Sequence, residues 1–145
     1  MKALIQRVSE ASVSVNKQVI GEIQTGILVL LAIEPVDNEA KAKRLAERVS
    51  GYRIFEDNQG KMNLNVKQVN GNILVISQFT LAADTTRGMR PSFTSAAEPK
   101  MSLELYQCFC KQLRLQGFSV PTGKFGTDMQ VKSVNNGPVT FMLKC

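Results

Sequence analysis

The chain has 145 residues, 43% of them hydrophobic and 21% charged, which is the composition of one globular domain long enough to bury a core. Its 18 basic and 12 acidic side chains give a net charge of +6, which mildly favours an anionic partner such as a nucleic acid. Because no histidine is present, a Ser-His-Asp triad, a Cys-His pair and a histidine-based zinc site are all excluded within one chain.

The first third of the chain is predicted to form four β-strands. Residues 11–15 alternate between apolar and polar side chains, as a strand with one buried face does. Residues 27–33 are apolar throughout, which is typical of a central strand. The four predicted strands are 2–8, 11–15, 19–23 and 27–33, with a turn around Gly26 before the last of them.

An amphipathic helix is predicted next. Asp37 or Asn38 can cap its N terminus, and Gly51 is expected to end it. Its apolar positions recur at i, i+3, i+4 and i+7, and they are Ala42, Leu45, Ala46 and Val49.

The middle of the chain alternates short strands with turns, which Asn, Asp and Gly indicate. The predicted order is a strand at 53–55, a turn at 57–60, a turn at Asn70-Gly71, a strand at 73–78 and an irregular polar segment at 82–97.

A second helix is predicted from near Pro99 to Gln116. Proline suits the first turn of a helix, and Gly117 supplies a C-terminal stop. The residues expected to form its buried stripe are Met101, Leu105, Cys108, Phe109 and Leu113.

The C-terminal segment is predicted to be a hairpin. The pair Asn136-Gly137 is a strong turn signal, here between strands at 129–134 and 139–143. Pro138 has no N–H to donate to a ladder, so this turn is expected at a sheet edge with its main-chain carbonyls exposed. The whole pattern predicts a single α+β domain over residues 1–145, with two main helices and a mainly antiparallel sheet in barrel-like layers.

The chain is expected to be a cytoplasmic protein with reduced thiols. No apolar run is long enough to cross a bilayer, and Arg7 and Glu10 interrupt the apolar core that a signal peptide needs. Cys108 and Cys110 lack the CxxC spacing of redox and zinc sites, and the acidic residues are scattered. We therefore expect no metal, no cofactor and no membrane contact.

One candidate for chemistry is the segment at 77–81, which follows an apolar strand. A rigid strand end fixes the polar groups that come after it. Ser77 and Thr80 offer hydroxyl groups and Gln78 offers an amide. A hydroxyl nucleophile needs a base, and none is close in sequence. Bonds to nearby backbone are the ordinary alternative for such hydroxyls.

Two other segments could bind an RNA end. Arg87 and Arg90 lie in a basic loop, where a guanidinium can grip phosphate or simply face solvent. Phe125 and Met129 flank Gly126 and could contact a nucleobase, although core packing is the commoner fate of such a pair.

Together these segments resemble the D-aminoacyl-tRNA deacylase family. The resemblance depends on Ser-Gln-Phe-Thr-Leu at 77–81 together with Asn-Gly-Pro-Val-Thr at 136–140. The stretches at 4–8, 52–55, 61–66 and 90–93 fit the family too, so the match covers nearly the whole chain in the expected order.

The resemblance implies a hydrolase that cleaves the ester between a D-amino acid and the terminal adenosine of tRNA, and that also clears mischarged glycyl-tRNA. It implies a homodimer with its site at the subunit interface. A cis Gly137-Pro138 peptide of one subunit would reach into its partner's pocket and reject L-residues sterically, with Arg7 holding this wall in place.

Catalysis is implied to rely on the RNA 2′-hydroxyl, with Ser77, Gln78, Phe79 and Thr80 at the catalytic centre. The N–H groups of Phe79 and Thr80 would stabilise the oxyanion, Gln78 would line the pocket, and Thr80 would position groups and not attack.

Substrate contacts are implied at two further places. Phe125 and Met129 would hold the terminal adenine, and Arg87 or Arg90 would meet RNA phosphate.

Three other functions compete with this hypothesis. A tRNA- or RNA-binding module without catalysis would explain the basic charge, but it leaves the Gly-Pro turn without a task. A metal-dependent hydrolase of small esters and a purely structural dimer protein are the remaining alternatives.

Overall fold

The chain folds around one long strand at its N terminus. In the computed structural model, which describes residues 1–145, the strands and helices are β1 (Lys2–Val15), β2 (Gln18–Ile23), β3 (Gly26–Ala32), α1 (Glu39–Gly51), β4 (Phe55–Glu56), β5 (Met62–Leu64), β6 (Asn72–Ser77), α2 (Pro99–Leu115) and β7 (Gln130–Lys144). A short 3₁₀ turn, Phe79–Ala82, follows β6. Neither helix has the length and apolar character needed to cross a membrane.

The main sheet is mixed and curls into a half-barrel. Strand β1 pairs antiparallel with β3 and then β2 along one edge, and with β7 along the other edge. Strand β6 runs parallel to β3. The predicted α+β class with two helices is confirmed, and the strand pairing is mainly antiparallel as predicted, with β3 and β6 as the one parallel pair.

Most predicted strands are present, with changed limits. The two strands predicted at 2–8 and 11–15 are one continuous strand, because the backbone stays extended through the polar residues between them. The strand predicted at 53–55 is shifted to the two residues of β4, of which only Phe55 was predicted, and β4 pairs with β5. The turn predicted at 57–60 is formed, with Gly60 at a φ of +73°.

Apolar side chains cover both faces of the sheet. Alternate residues of β3 and β6 point to opposite faces. Ile27, Val29 and Val75 belong to the larger core of 23 buried residues, which includes both helices. Leu28 and Leu74 belong to a second cluster of 7 on the other face.

Helix α1 begins and ends as predicted. Asn38, and not Asp37, is the cap, because its side chain accepts a hydrogen bond from the N–H of Lys41. Asp37 is instead buried, and its carboxylate lies 2.6 Å from the N-terminal ammonium group of Met1. The four predicted apolar positions of the helix are all buried.

Helix α2 has the predicted limits but a broader buried face. Tyr106 and Cys110 are buried along with the predicted Leu105, Phe109 and Leu113, whereas Met101 and Cys108 are only half-buried. The hydroxyl of Tyr106 donates to the carbonyl of Val75 at 2.9 Å, which explains how a polar group is accommodated there. Burial raises the pKa of the Cys110 thiol to about 11, so this thiol stays protonated at neutral pH.

The predicted C-terminal hairpin is wrong. Residues 130–135 and 140–144 belong to one strand, β7, and both stretches pair antiparallel with β1. Between them, residues 136–139 form a bulge that lies opposite the single residue Arg7. The Asn-Gly-Pro sequence therefore makes a local excursion from an edge strand and does not reverse the chain.

Candidate functional site

An open cleft lies where β6 ends. Its volume is about 360 Å³. It is lined by two segments distant in sequence, namely Ile76, Ser77, Gln78 and Phe79 from one, and Gly126, Thr127, Asp128, Met129 and Val131 from the other. The cleft thus brings the polar strand end together with the segment that carries Met129. Asp128 is its one titratable side chain, and sequence reasoning assigned it no role.

The 3₁₀ turn that begins at Phe79, a residue of the cleft lining, offers main-chain donors. Phe79 and Thr80 are the first residues of this turn, so their N–H groups have no acceptor within it. The turn is anchored by the N–H of Gln78, which donates to the carbonyl of Leu31 at 2.8 Å. Two adjacent N–H groups on an anchored turn can stabilise a developing oxyanion.

The hydroxyl of Thr80 has no base beside it. Its oxygen accepts a hydrogen bond from the side-chain amide of Gln78 at 2.5 Å, so this neighbour acts as a donor. A nucleophilic hydroxyl needs a neighbour that accepts its proton. The geometry therefore fits a positioning role for Thr80.

Two aromatic rings are exposed beside the cleft. The rings of Phe79 and Phe93 have centroids 5.1 Å apart, and the residues are 59% and 42% exposed. Phe93 follows a loop whose ends, Asp84 and Ser92, are joined by two main-chain hydrogen bonds.

Arg87 and Arg90 lie at the exposed tip of this loop. Hydrogen bonds from the main-chain N–H and the hydroxyl of Thr86 hold the pKa of Asp84 below its ordinary value, so its carboxylate stays ionised while it shapes the loop. The arginines form no ion pair with it.

Phe125 and Met129 occupy different hollows. Met129 lines the cleft. The ring of Phe125 lies 5.9 Å from that of Tyr106 and faces a neighbouring hollow of about 320 Å³. The structure thus brings Met129, but not Phe125, to the residues at 77–79. No three Cys, Asp or Glu side chains are grouped so as to hold a metal ion.

The 136–139 bulge has an unusual main chain. The peptide bond between Gly137 and Pro138 is cis, and Gly137 has a φ of +136°. Both residues are exposed. A β-carbon added to Gly137 would lie 2.6 Å from Cγ2 of Val139 and 3.0 Å from Nη2 of Arg7. Only glycine therefore fits this position without a shift of its neighbours.

Arg7 fastens the bulge to the body of the domain. Its Nε donates to the carbonyl of Asn136 at 2.9 Å, and its Nη1 donates to the carbonyl of Ile54 at 2.8 Å. The residue is only 7% exposed. Glu56 lies 3.5 Å away and is itself exposed, so it adds little to this anchor. The rigid fork of a guanidinium suits the task of joining two carbonyl groups.

The bulge and the cleft of one chain lie far apart. Val131 lines the cleft, whereas Asn135 is the last regular residue before the bulge. The four-residue step along β7 corresponds to about 13 Å of strand. The bulge of one chain therefore does not line the cleft of the same chain.

Comparisons with known proteins point to one family over the whole chain. The family model described as D-Tyr-tRNA(Tyr) deacylase matches residues 4–144. A D-aminoacyl-tRNA deacylase of Colwellia psychrerythraea is 69% identical over 143 residues, and one of Pectobacterium atrosepticum is 60% identical over 144 residues. Each alignment covers 99% of both chains.

A solved structure has the same fold. The protein described as c-Myc DNA Unwinding Element Binding Protein superposes with a TM-score of 0.94 at 37% sequence identity. The superposition covers 100% of this chain and 99% of the other.

Proposed function

We propose that this chain, which belongs to the D-Tyr-tRNA(Tyr) deacylase family, hydrolyses the ester bond of D-aminoacyl-tRNA and of mischarged glycyl-tRNA. The family consists of hydrolases that act on aminoacyl-tRNA. The observation that carries the proposal is that both signature segments offer main-chain groups: N–H donors of Phe79 and Thr80 that have no acceptor within the 3₁₀ turn, and the main chain of the exposed residues Gly137 and Pro138. Such groups suit a site that handles many different amino acids.

Chiral selection follows from a wall of main-chain carbonyls. If the carbonyls of Gly137 and Pro138 face the α-carbon of the substrate, a D-residue or glycine directs only hydrogen towards them. An L-residue directs its β-carbon into the wall. The discrimination then needs no contact with the side chain and works through a clash with the wrong substrate.

The wall is supplied to each cleft by a second copy of the chain. Because a chain's own bulge lies too far from its cleft, the complete site requires a homodimer. The outer surface of β7 supports such a partner, since almost all of its residues are exposed. Large apolar side chains exposed on this strand are Val131, Val134, Phe141 and Met142. An edge strand of this kind is normally covered.

Catalysis uses the substrate's own RNA. The 2′-hydroxyl of the terminal ribose positions or activates the attacking water, and the N–H groups of Phe79 and Thr80 stabilise the oxyanion. Gln78 holds the hydroxyl of Thr80 and lines the pocket. Ser77, at the end of β6, also lines it.

The 3′ end of tRNA enters beside the exposed aromatic rings. Met129 contacts the terminal adenine in the cleft, and Phe125 supports it from the neighbouring hollow. Single-stranded RNA is commonly held by stacking on aromatic rings and by arginine contacts to phosphate. The rings of Phe79 and Phe93, next to Arg87 and Arg90, offer this combination.

A comparison of tRNA esters tests the proposed function. We expect the purified protein to accelerate deacylation of D-Tyr-tRNA and Gly-tRNA while leaving L-Tyr-tRNA at the buffer rate. A metal chelator should not change the deacylation rate of D-Tyr-tRNA or of Gly-tRNA. A protein that binds all three tRNAs but releases D-tyrosine no faster than buffer would be the RNA-binding module instead.

Thr80→Ala is expected to retain substantial activity. Loss of a positioning hydroxyl should lower the single-turnover rate on D-Tyr-tRNA by about tenfold or less. Loss of a true nucleophile typically costs a factor on the order of 10⁴ or more. Thr80→Ser is the matched control. Complete inactivity of the alanine variant, together with an acyl-enzyme trapped on the wild type by acid quenching, would overturn this assignment.

A further inference from the structure

The side chain of Asn135 spans the base of the 136–139 bulge. Its Oδ1 accepts a hydrogen bond from the N–H of Val139 at 2.9 Å. Its Nδ2 donates to the hydroxyl oxygen of Thr140 at 2.9 Å, and that oxygen also accepts from Nε2 of Gln6 at 3.2 Å. One amide thus ties the residue before the bulge to the last residue of the bulge and to the first residue after it.

Asparagine is the side chain that fits this geometry. An aspartate could accept from Val139, but it could contact Thr140 only if the hydroxyl of Thr140 turned to donate. A glutamine has both groups on a longer chain, with more rotamer freedom to lose. Asn135 is half-buried. Removing its side chain would therefore leave the N–H of Val139 unpaired in a site partly closed to water.

The far end of the bulge lies next to Gly137. The main-chain nitrogen of Val139 is 3.0 Å from the point where a β-carbon on Gly137 would stand, so a shift of Val139 changes the surroundings of Gly137. Arg7 holds the near end through the carbonyl of Asn136. Gly137 and Pro138 therefore lie between two anchors, one at each end of the bulge.

We propose that Asn135 is a positioning residue for chiral discrimination, acting through Val139 on the carbonyls of Gly137 and Pro138. This inference rests on the proposed function, in which those carbonyls reject L-residues. Loss of the Asn135 anchor frees one end of the wall while Arg7 still holds the other end. The carbonyls of Gly137 and Pro138 can then move away from the β-carbon of an L-residue, while a D-residue continues to bind.

Three variants test the proposal. Asn135→Ala removes both hydrogen bonds, and we expect the ratio of D-Tyr-tRNA to L-Tyr-tRNA deacylation rates to fall by about tenfold or more. Asn135→Asp keeps the acceptor for Val139, so its ratio should stay within about threefold of the wild type. Asn136→Ala removes the same amide one position later but keeps the carbonyl used by Arg7, so it should lower the ratio much less than Asn135→Ala.

Hydrogen exchange of the Val139 amide gives a readout that does not depend on activity. We expect this amide to exchange slowly in the wild type and the aspartate variant, and faster in Asn135→Ala. If the wild type has no activity on D-Tyr-tRNA, the proposed function fails, and the exchange data still report on the anchor. If L-Tyr-tRNA deacylation in Asn135→Ala stays at the buffer rate and Val139 exchange is unchanged, the proposal is overturned.

Discussion

Gly137→Ala is expected to destroy most of the discrimination between D- and L-aminoacyl-tRNA. The new β-carbon would lie 2.6 Å from Cγ2 of Val139 and 3.0 Å from Nη2 of Arg7. It would also occupy a backbone conformation, φ +136°, that L side chains rarely adopt. The bulge must rearrange, and the carbonyls that form the wall move with it.

The expected change is a fall in the D-to-L rate ratio of about 100-fold or more, equivalent to about 2.7 kcal/mol. The measurement is the initial rate of deacylation on D-Tyr-tRNA and L-Tyr-tRNA with the same preparation of protein. Gly60→Ala is the matched control, because Gly60 also has a positive φ, of +73°, but nothing lies within 4 Å of its added β-carbon. A wild-type ratio in Gly137→Ala would show that the bulge is not the source of discrimination.

Arg7→Ala is expected to weaken both the fold and the discrimination. The substitution leaves the carbonyls of Ile54 and Asn136 without their donor, the first of them in a buried bond. We expect the free energy of unfolding to fall by about 3 kcal/mol, and the D-to-L ratio to fall by about tenfold or more in the folded protein. Urea unfolding and paired rate measurements check the two effects separately.

Two further variants separate geometry from charge. Arg7→Lys keeps the charge, but a single ammonium group cannot reproduce the fork between two carbonyls, so it should recover stability only in part. Arg44→Ala removes an arginine that is exposed on α1 and pairs with Glu47 at 3.3 Å. Its cost should be about 1 kcal/mol or less. Equal unfolding free energies for the Arg7→Ala and Arg44→Ala variants would contradict the anchoring role.

The helices were the most predictable part of the fold. Their caps and apolar periods are local, so Asn38, Pro99 and Gly117 mark their ends in the sequence and in the structure alike. Tyr106 escaped the prediction because a buried tyrosine usually needs a partner for its hydroxyl, and that partner, Val75, lies in a strand distant in sequence.

Strand pairing was less predictable because it is not local. The sequence around Asn136-Gly137 is the same whether the flanking strands pair with each other or with a third strand. Only the length of β1, which extends along both halves of β7, decides between these outcomes. The parallel pairing of β6 with β3 is hidden for the same reason.

The candidate site was predictable in its parts but not in its arrangement. The segment at 77–81 and Met129 could be singled out by residue type and by resemblance. Their meeting in one cleft depends on how the chain returns after α2, which no local pattern reports. The partners of Arg7 and Asn135 likewise depend on the register between β1 and β7.

A wall built from peptide carbonyls would be insensitive to most mutations. Every amino-acid codon supplies a carbonyl, so a missense mutation cannot delete the groups that select the substrate in the proposed mechanism, whereas a catalytic side chain can vanish with one base change. In that mechanism, damage comes through the few codons that set the path of the backbone, at Gly137, Arg7 and Asn135. The fidelity of such an enzyme therefore presents a small target to random mutation.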